Sequence, residues 1–233
     1  MKTDKQLQHD VLAELEWEPS VEASQIGVTA KNAVVTLVGN VAHYHEKLAA
    51  ERAAKRVYGV QAVANDIEVR LLSPSQRTDA EIAAASLYAL SWNTSVPTDR
   101  IQLTVRNGWI TLEGHVDWQF QKQAAERAVH HLIGVKGVSN QIILTPQVQT
   151  ADVQTKIENA LRRSAELDAH RITVEAKGGK VTLRGTVRAW VEREEAQQAA
   201  WAAPGVTEVD NRITVAPMAR DEPYGRSGSA PAI

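Results

Sequence analysis

Two histidine pairs are the residues whose type and spacing come closest to a catalytic or metal-binding pattern. His43 and His45 are separated by one residue, and His130 and His131 are adjacent. A helical zinc site typically has two histidines four residues apart with a carboxylate nearby, and neither pair has that spacing. The chain contains no cysteine, which excludes disulfides, thiolate metal ligands and cysteine nucleophiles. We therefore predict no catalytic residue, no metal and no cofactor, and interpret the histidines as surface residues at a helix start and a helix end.

Aromatic and basic side chains indicate binding rather than catalysis. The chain has six tryptophans and one phenylalanine, and tryptophan is favoured where its ring is covered and its N–H is wet, as at a membrane or protein interface. We expect Trp17 and Trp92 to cover the open ends of small cores, whereas Trp118 and Trp190 fit either that role or an interface. The candidate lipid-binding residues are Trp118, Phe120, Trp190, Arg171, Arg184, Arg188 and Arg212.

The four arginines of that set are expected on the polar side of their strands. A basic sheet face could meet anionic phospholipid, each charge near such a surface adding about 1 kcal/mol. The alternative is an ordinary solvated face, because Glu175 is expected on the same side.

Charge and hydropathy limit the classes of partner. The net charge of −2 gives no electrostatic reason to expect nucleic acid. The first ten residues carry charges where a signal peptide has its apolar core. As the sequence stands we expect a cytoplasmic protein, with a periplasmic location as the alternative if the N-terminus is incomplete or export takes another route. No apolar run reaches the roughly 18 residues of a spanning helix, so any membrane contact is expected to be peripheral.

The elements that must position these side chains occur three times. Residues 35–41, 108–116 and 181–187 are similar stretches, each containing one glycine of the set Gly39, Gly114 and Gly185. An asparagine lies 26 residues downstream of each glycine: Asn65, Asn140 and Asn211. Copies in register along their whole length predict one small domain repeated. The predicted units are residues 1–72, 76–147 and 148–217, followed by a disordered tail at 218–233.

Within each unit the hydrophobic pattern predicts the order helix, strand, strand, helix, strand. In the second unit Ile82, Leu87 and Leu90 are expected on the inner face of the first helix. Asn107-Gly108 lies between alternating runs and predicts a tight hairpin, since both turn residues need positive φ. The second helix is rich in alanine, which indicates close packing.

Two further expectations concern backbone geometry. The first unit has Asn32-Ala33 at its hairpin turn, where a positive φ should strain the alanine. The repeated glycine is expected on the inward side of the second strand, where a missing side chain lets a neighbouring backbone approach closely.

Taken together, these motifs resemble the BON domain of bacterial proteins, including osmotically inducible periplasmic members of that family. The match includes the V-T-L-x-G-x-V hairpin and a following G-V-x-x-V-x-N-x-I-x-V segment, as in Gly59-Val60, Val63, Asn65 and Val69. The resemblance implies an α+β fold of three tandem αββαβ units, each with two helices packed on one face of a three-stranded sheet. It implies attachment to phospholipid membranes, often in osmotic stress of the cell envelope. The matched positions are structural, and none is catalytic.

We accordingly expect a non-enzymatic protein that binds membrane phospholipid or another envelope component peripherally, with the third unit carrying most of the affinity. The alternative is a protein–protein assembly module or scaffold without lipid affinity, which leaves a homo-oligomer open. That alternative is favoured by apolar residues on otherwise polar sheet faces: Val38, Trp109 and Ile143.

Overall fold

A computed structural model describes residues 2–145, 152–164 and 171–216, apart from the side chain of Pro74. The predicted tail at 218–233 lies outside the described residues. The described chain forms three units with the same order of elements. The predicted α+β fold of three tandem units is confirmed.

Each unit contains two α-helices and a small sheet. The first unit comprises α1 (Asp4–Trp17), β1 (Ile26–Lys31), β2 (Val34–Val41), α2 (Tyr44–Arg56) and β3 (Ala62–Val69). The second comprises α3 (Asp79–Ser91), β4 (Ile101–Arg106), β5 (Trp109–Val116), α4 (Gln119–Val129), β6 (Gly137–Asn140) and β7 (Ile143–Leu144). The third comprises α5 (Val153–Arg163), β8 (Ile172–Lys177), β9 (Lys180–Val187), α6 (Trp190–Trp201) and β10 (Glu208–Val215).

The second strand of each hairpin is the central strand of its sheet. β2 pairs antiparallel with β1 and parallel with β3, and β9 pairs in the same way with β8 and β10. In the second unit the last strand is divided, and both β6 and β7 pair parallel with β5. A parallel pair needs a crossover connection, which the second helix of each unit supplies.

Each unit has its own core between the helices and the inner face of the sheet. In the second unit the buried positions of α3 are Ile82, Ser86 and Leu90, one every four residues. The Ser86 hydroxyl is fully buried and donates to the Ile82 carbonyl oxygen at 2.7 Å, so its polar group is satisfied. The prediction that Leu87 faces the core is wrong, because that side chain is 57% exposed. The periodicity was ambiguous because α3 is apolar on two sides.

Aspartates at the start of the first helix hold the hairpin turns. The Asp79 carboxylate accepts from the backbone N–H groups of Asn107 and Gly108, at 2.8 and 2.9 Å. Asp4 accepts in the same way from the first unit's turn, where Ala33 has φ 63°, so the strained alanine is confirmed. These carboxylates therefore fix the helix against the sheet edge.

The repeated glycine adopts a backbone conformation that other residues rarely reach. Gly39, Gly114 and Gly185 have φ of 138°, 127° and 145°. A Cβ atom at any of the three would overlap the carbonyl oxygen of the residue before the hairpin's first strand: Gln25, Arg100 or Arg171. The predicted inward position and close backbone approach are confirmed. The approaching backbone is that of the residue leading into the same hairpin.

Candidate functional site

The repeated asparagine fastens the second helix to the last strand. Asn140 Nδ2 donates to the Lys122 carbonyl oxygen at 2.8 Å and to Glu126 Oε2 at 3.1 Å, and its Oδ1 accepts from the Ile142 N–H at 3.3 Å. Asn65 and Asn211 make the same three kinds of contact. These side chains are therefore committed to holding the fold.

Two of the four candidate arginines lie on the outer sheet face of the third unit, where Arg184 and Arg212 are register partners on β9 and β10. Arg184 Nε lies 3.8 Å from Glu175 Oε1, and Arg212 Nε lies 2.8 Å from Asp210 Oδ2. The hydrogen bond from the Arg212 guanidinium holds the pKa of the Asp210 carboxyl below its usual range. Both arginines thus have acidic neighbours, which reduces the face's attraction for an anionic bilayer.

The other two candidate arginines lie outside the strands, contrary to the prediction. Arg171 immediately precedes β8, and its carbonyl oxygen is the atom that crowds Gly185. Arg188 follows β9, and its backbone N–H donates to Glu192 Oε2 at 3.1 Å. The alternation of polar and apolar residues continues in the sequence beyond both strand ends, so it does not show where the strands stop. The structure therefore does not place the four arginines on one sheet face.

Trp190 lies between the third unit and the first. As the first residue of α6, it donates its indole N–H to the Val60 carbonyl oxygen at 2.9 Å. Lys55 Nζ and Arg193 Cζ lie 5.4 and 5.1 Å from the ring centroid, distances typical of cation–π contacts. The polar edge of this side chain is engaged within the protein, so we no longer assign Trp190 to a lipid contact.

Trp118 and Phe120, at the start of α4, are accessible to a binding partner. Their ring centroids are 6.5 Å apart, and the two side chains are 38% and 52% exposed. Of the two roles left open for Trp118, this exposure fits an interface better than the covering of a core.

The prediction that Trp17 and Trp92 cover the cores is wrong, since they are 82% and 72% exposed. Each lies two residues beyond a buried leucine, Leu15 or Leu90. Two residues correspond to a rotation of about 200° around a helix, which places the ring on the side away from the core.

The first helix of the second unit has an exposed apolar face that sequence reasoning missed. Leu87, Tyr88 and Trp92 are exposed, and the rings of Tyr88 and Trp92 are 5.6 Å apart. From Ile82 to Trp92 the chain carries no charge. The corresponding positions near the end of α5 are Glu158, Asn159 and Arg163. The signal was present as a second apolar stripe, at positions 84, 87, 88 and 92.

The histidine pairs meet where the first unit contacts the second. His45, at the start of α2, has its ring 5.3 Å from that of His131, which follows α4. His43 stacks on His45 at 5.5 Å, and His130 meets His131 edge-on at 4.3 Å. Across the described residues, no three His, Asp or Glu side chains are grouped so as to hold a metal ion. The predicted positions at helix ends are confirmed, and the pairs also form an interface between units.

This histidine cluster predicts a loss of stability in acid. Burial, followed by the positive charge of His131, Arg52, His45 and Arg127, lowers the pKa of His130 from 6.5 to about 4. The unfolded chain therefore binds a proton that the folded chain resists, and stability falls as pH drops from 6.5 towards 4. For this partly exposed group we expect a loss of about 1–2 kcal/mol between pH 7 and pH 5. Urea unfolding at both pH values measures it.

The control for the acid effect is His130→Gln, which cannot titrate. This variant should lose a large part of the difference between pH 7 and pH 5. An equal difference in parent and variant would show that other groups cause it.

None of the helices in the described part of the chain combines the length and the apolar character needed to cross a bilayer.

The chain is similar to known proteins over most of its length. The family model of the BON domain matches three times, at residues 3–70, 78–146 and 149–217. Among curated proteins, the osmotically-inducible protein Y of Escherichia coli (strain K12) is 29% identical over 147 residues, which is 60% of this chain and 71% of that protein.

Similarity to solved structures is weak. The C-terminal domain of CdsD, a structural protein of the type III secretion system of Chlamydia trachomatis, has a TM-score of 0.26 at 16% identity, covering 93% of this chain and 100% of that one. The PrgH periplasmic domain has a TM-score of 0.20 at 12% identity, covering 82% and 95%. At such TM-scores neither structure informs the fold or the function.

Proposed function

This chain belongs to the BON domain family, and from that membership we propose that it is a non-enzymatic protein that binds phospholipid membranes peripherally through the exposed face of α3. The similarity to an osmotically-inducible protein supports placing this role in the response to osmotic stress. The observation that carries the proposal is the uncharged, aromatic face formed by Leu87, Tyr88 and Trp92, which we call the α3 face.

Exposure of the α3 face to water is unfavourable. The apolar face of a helix is normally covered by other parts of the protein, yet the three side chains of the α3 face are 57%, 64% and 72% exposed. Tyrosine and tryptophan are enriched at the level of lipid headgroups, where the ring is covered and the polar edge stays hydrated. The α3 face therefore matches a bilayer surface in its chemistry.

The α3 face would bind a bilayer without electrostatic attraction, unlike a basic sheet face. The only charged residues of α3 are Asp79 and Glu81, both in its first turn, and the α3 face itself has none. Attraction between a basic face and anionic lipid weakens as salt rises, because the Debye length is about 8 Å at physiological ionic strength. Binding through the α3 face should instead depend little on salt.

The first test is vesicle co-sedimentation of the parent and of the triple variant Leu87→Gln, Tyr88→Gln, Trp92→Gln. Fully burying a large apolar side chain contributes about 1.5–3 kcal/mol, and these are already partly covered, so about 1 kcal/mol each is expected. The triple variant should therefore bind vesicles of phosphatidylcholine and phosphatidylglycerol about 100- to 200-fold more weakly. Circular dichroism checks that the variant is folded.

Trp17→Gln is the matched control, because Trp17 occupies the equivalent position at the end of α1, near Glu14, Glu16 and Glu18. It should leave binding unchanged. A parent that does not bind vesicles, or a triple variant that binds as tightly as the parent, would contradict the proposal. Binding that disappears at physiological salt and in Arg184→Glu, Arg212→Glu would restore the basic sheet face as the contact.

A further inference from the structure

The three units contact one another in a fixed direction. Trp190 of the third unit lies five residues after Gly185 and bonds to Val60 of the first. Tyr44 lies five residues after Gly39 and packs against the core of the second unit. Burial raises the pKa of the Tyr44 phenol, and the second unit's Val138 backbone and Glu126 carboxylate adjoin it. Residues at one equivalent position, five after the repeated glycine, thus dock the third unit on the first and the first on the second.

Both contacts join two surfaces that every unit possesses. The helix-start surface is the beginning of the second helix: Tyr44 and His45 in the first unit, Trp118 to Phe120 in the second, and Trp190 in the third. The helix-end surface lies 16 to 24 residues after the repeated glycine: Lys55 and Val60 in the first unit, His131 and Val138 in the second, and Trp201, Ala202 and Val206 in the third. In both contacts a helix-start surface covers the helix-end surface of another unit.

One surface of each kind is left over. At the position equivalent to Tyr44 and Trp190 the second unit has Gln119, flanked by the exposed rings of Trp118 and Phe120. Tyr44 and Trp190 are covered by a neighbouring unit. Within the described ranges, neither Trp118 nor Phe120 makes a ring contact with the third unit. The helix-end surface of the third unit presents Ala202, which is exposed, beside Trp201, which takes the position of Lys55. These two uncovered surfaces belong to the second and third units, which show no contact of this kind between their described residues.

We propose that the helix-start surface of the second unit docks on the helix-end surface of the third unit of another copy of this chain. Contacts of this head-to-tail kind join different patches, so they close into rings or continue as filaments, depending on the rotation at each step. A helix-start surface meets a helix-end surface twice within the chain, and a third contact of this kind would extend the arrangement to the next copy. Aromatic side chains on both surfaces provide the apolar centre that such an interface needs.

This proposal does not rest on membrane binding, because the α3 face belongs to the first helix of the second unit. The two can fail separately. It also gives the predicted candidates Trp118 and Phe120 a protein contact in place of a lipid contact.

Sedimentation velocity of the full chain tests the proposal, with concentrations from about 1 µM to about 1 mM to span weak and moderate association. The parent should grow from a single chain of 25.5 kDa to species larger than a dimer as concentration rises. Phe120→Glu, which alters only the helix-start surface, and Ala202→Glu, which alters only the helix-end surface, should each remain a single chain. Trp17→Glu, a matched change outside both surfaces, should assemble like the parent.

Mixing the two variants gives the decisive result. The Phe120→Glu chain keeps an intact helix-end surface and the Ala202→Glu chain keeps an intact helix-start surface. An equimolar mixture should therefore form a dimer that grows no further. A parent that stays a single chain throughout, or variants that assemble like the parent, would overturn the proposal. So would a mixture that remains monomeric, since the two chains together supply one intact surface of each kind. A contact between like surfaces would instead appear as one variant that associates by itself. A monomeric parent whose vesicle binding falls in Phe120→Glu would assign this surface to lipid.

Discussion

Gly185→Ala should destabilise the third unit by about 3–5 kcal/mol, because it combines backbone strain with a steric overlap that cannot relax easily. The φ of 145° is one that side-chain-bearing residues rarely adopt. The added Cβ would overlap the carbonyl oxygen of Arg171, and a backbone atom cannot turn aside as the end of a side chain can. A unit of this size has little stability to spare, so a large part of it should be unfolded at 37 °C. Urea unfolding combined with peptide-level hydrogen exchange measures the loss unit by unit.

Gly178→Asn is the matched control in the same unit. Gly178 has φ 57° and nothing within 4 Å of an added Cβ. The first two units have Asn32 and Asn107 at the equivalent turn position, with φ 52° and 53°. This variant should change stability by less than about 1 kcal/mol. A similar, small effect of both variants would show that the repeated glycine is not required for packing.

Asn140→Ala should destabilise the second unit by about 2–4 kcal/mol. The side chain makes three hydrogen bonds to α4 and to the last strand, and each contributes about 0.5–1.5 kcal/mol net. Its removal also leaves the partly buried Glu126 carboxylate without one of its donors. Hydrogen exchange should accelerate in α4 and β6 together, because the asparagine side chain links the two elements by hydrogen bonds.

Two neighbouring variants separate hydrogen bonding from loss of volume. Asn140→Asp keeps the size but loses the Nδ2 donor and brings a carboxylate beside Glu126, so it should be at least as destabilising as alanine at neutral pH. Gln141→Ala, at the adjacent exposed position, should stay within about 0.5 kcal/mol of the parent. An Asn140→Asp variant as stable as the parent would rule out the hydrogen-bond explanation.

Repetition made the fold accessible from the sequence. The spacing of Gly39, Gly114 and Gly185, and of the asparagines 26 residues later, fixed three units of one topology. Alternating runs around Asn107-Gly108 located the hairpin, and the structure has both residues at positive φ. These features depend on local backbone chemistry repeated in each copy, so they do not require knowledge of distant contacts.

The candidate site was predicted less well. The exposure of its side chains depends on which side of a helix or strand they face and on which neighbouring elements cover them. Leu87 was assigned to the core because it is apolar, but a helix with two apolar stripes does not reveal which of them is covered. Arg171 and Arg188 were placed on strands because alternation continues past a strand end in the sequence, where the chain has already turned.

The sequence by itself determined the number of units, the order of their elements and the roles of the repeated glycine and asparagine, since each follows from local geometry and period. Only the tertiary structure decided which apolar surfaces remain open. Trp190, at the start of α6, is covered because it docks on the first unit. Phe120, near the start of α4, makes no ring contact with the third unit among the residues described. Exposure is a property of how units pack, so equivalent surfaces of the three units can be covered in one place and exposed in another.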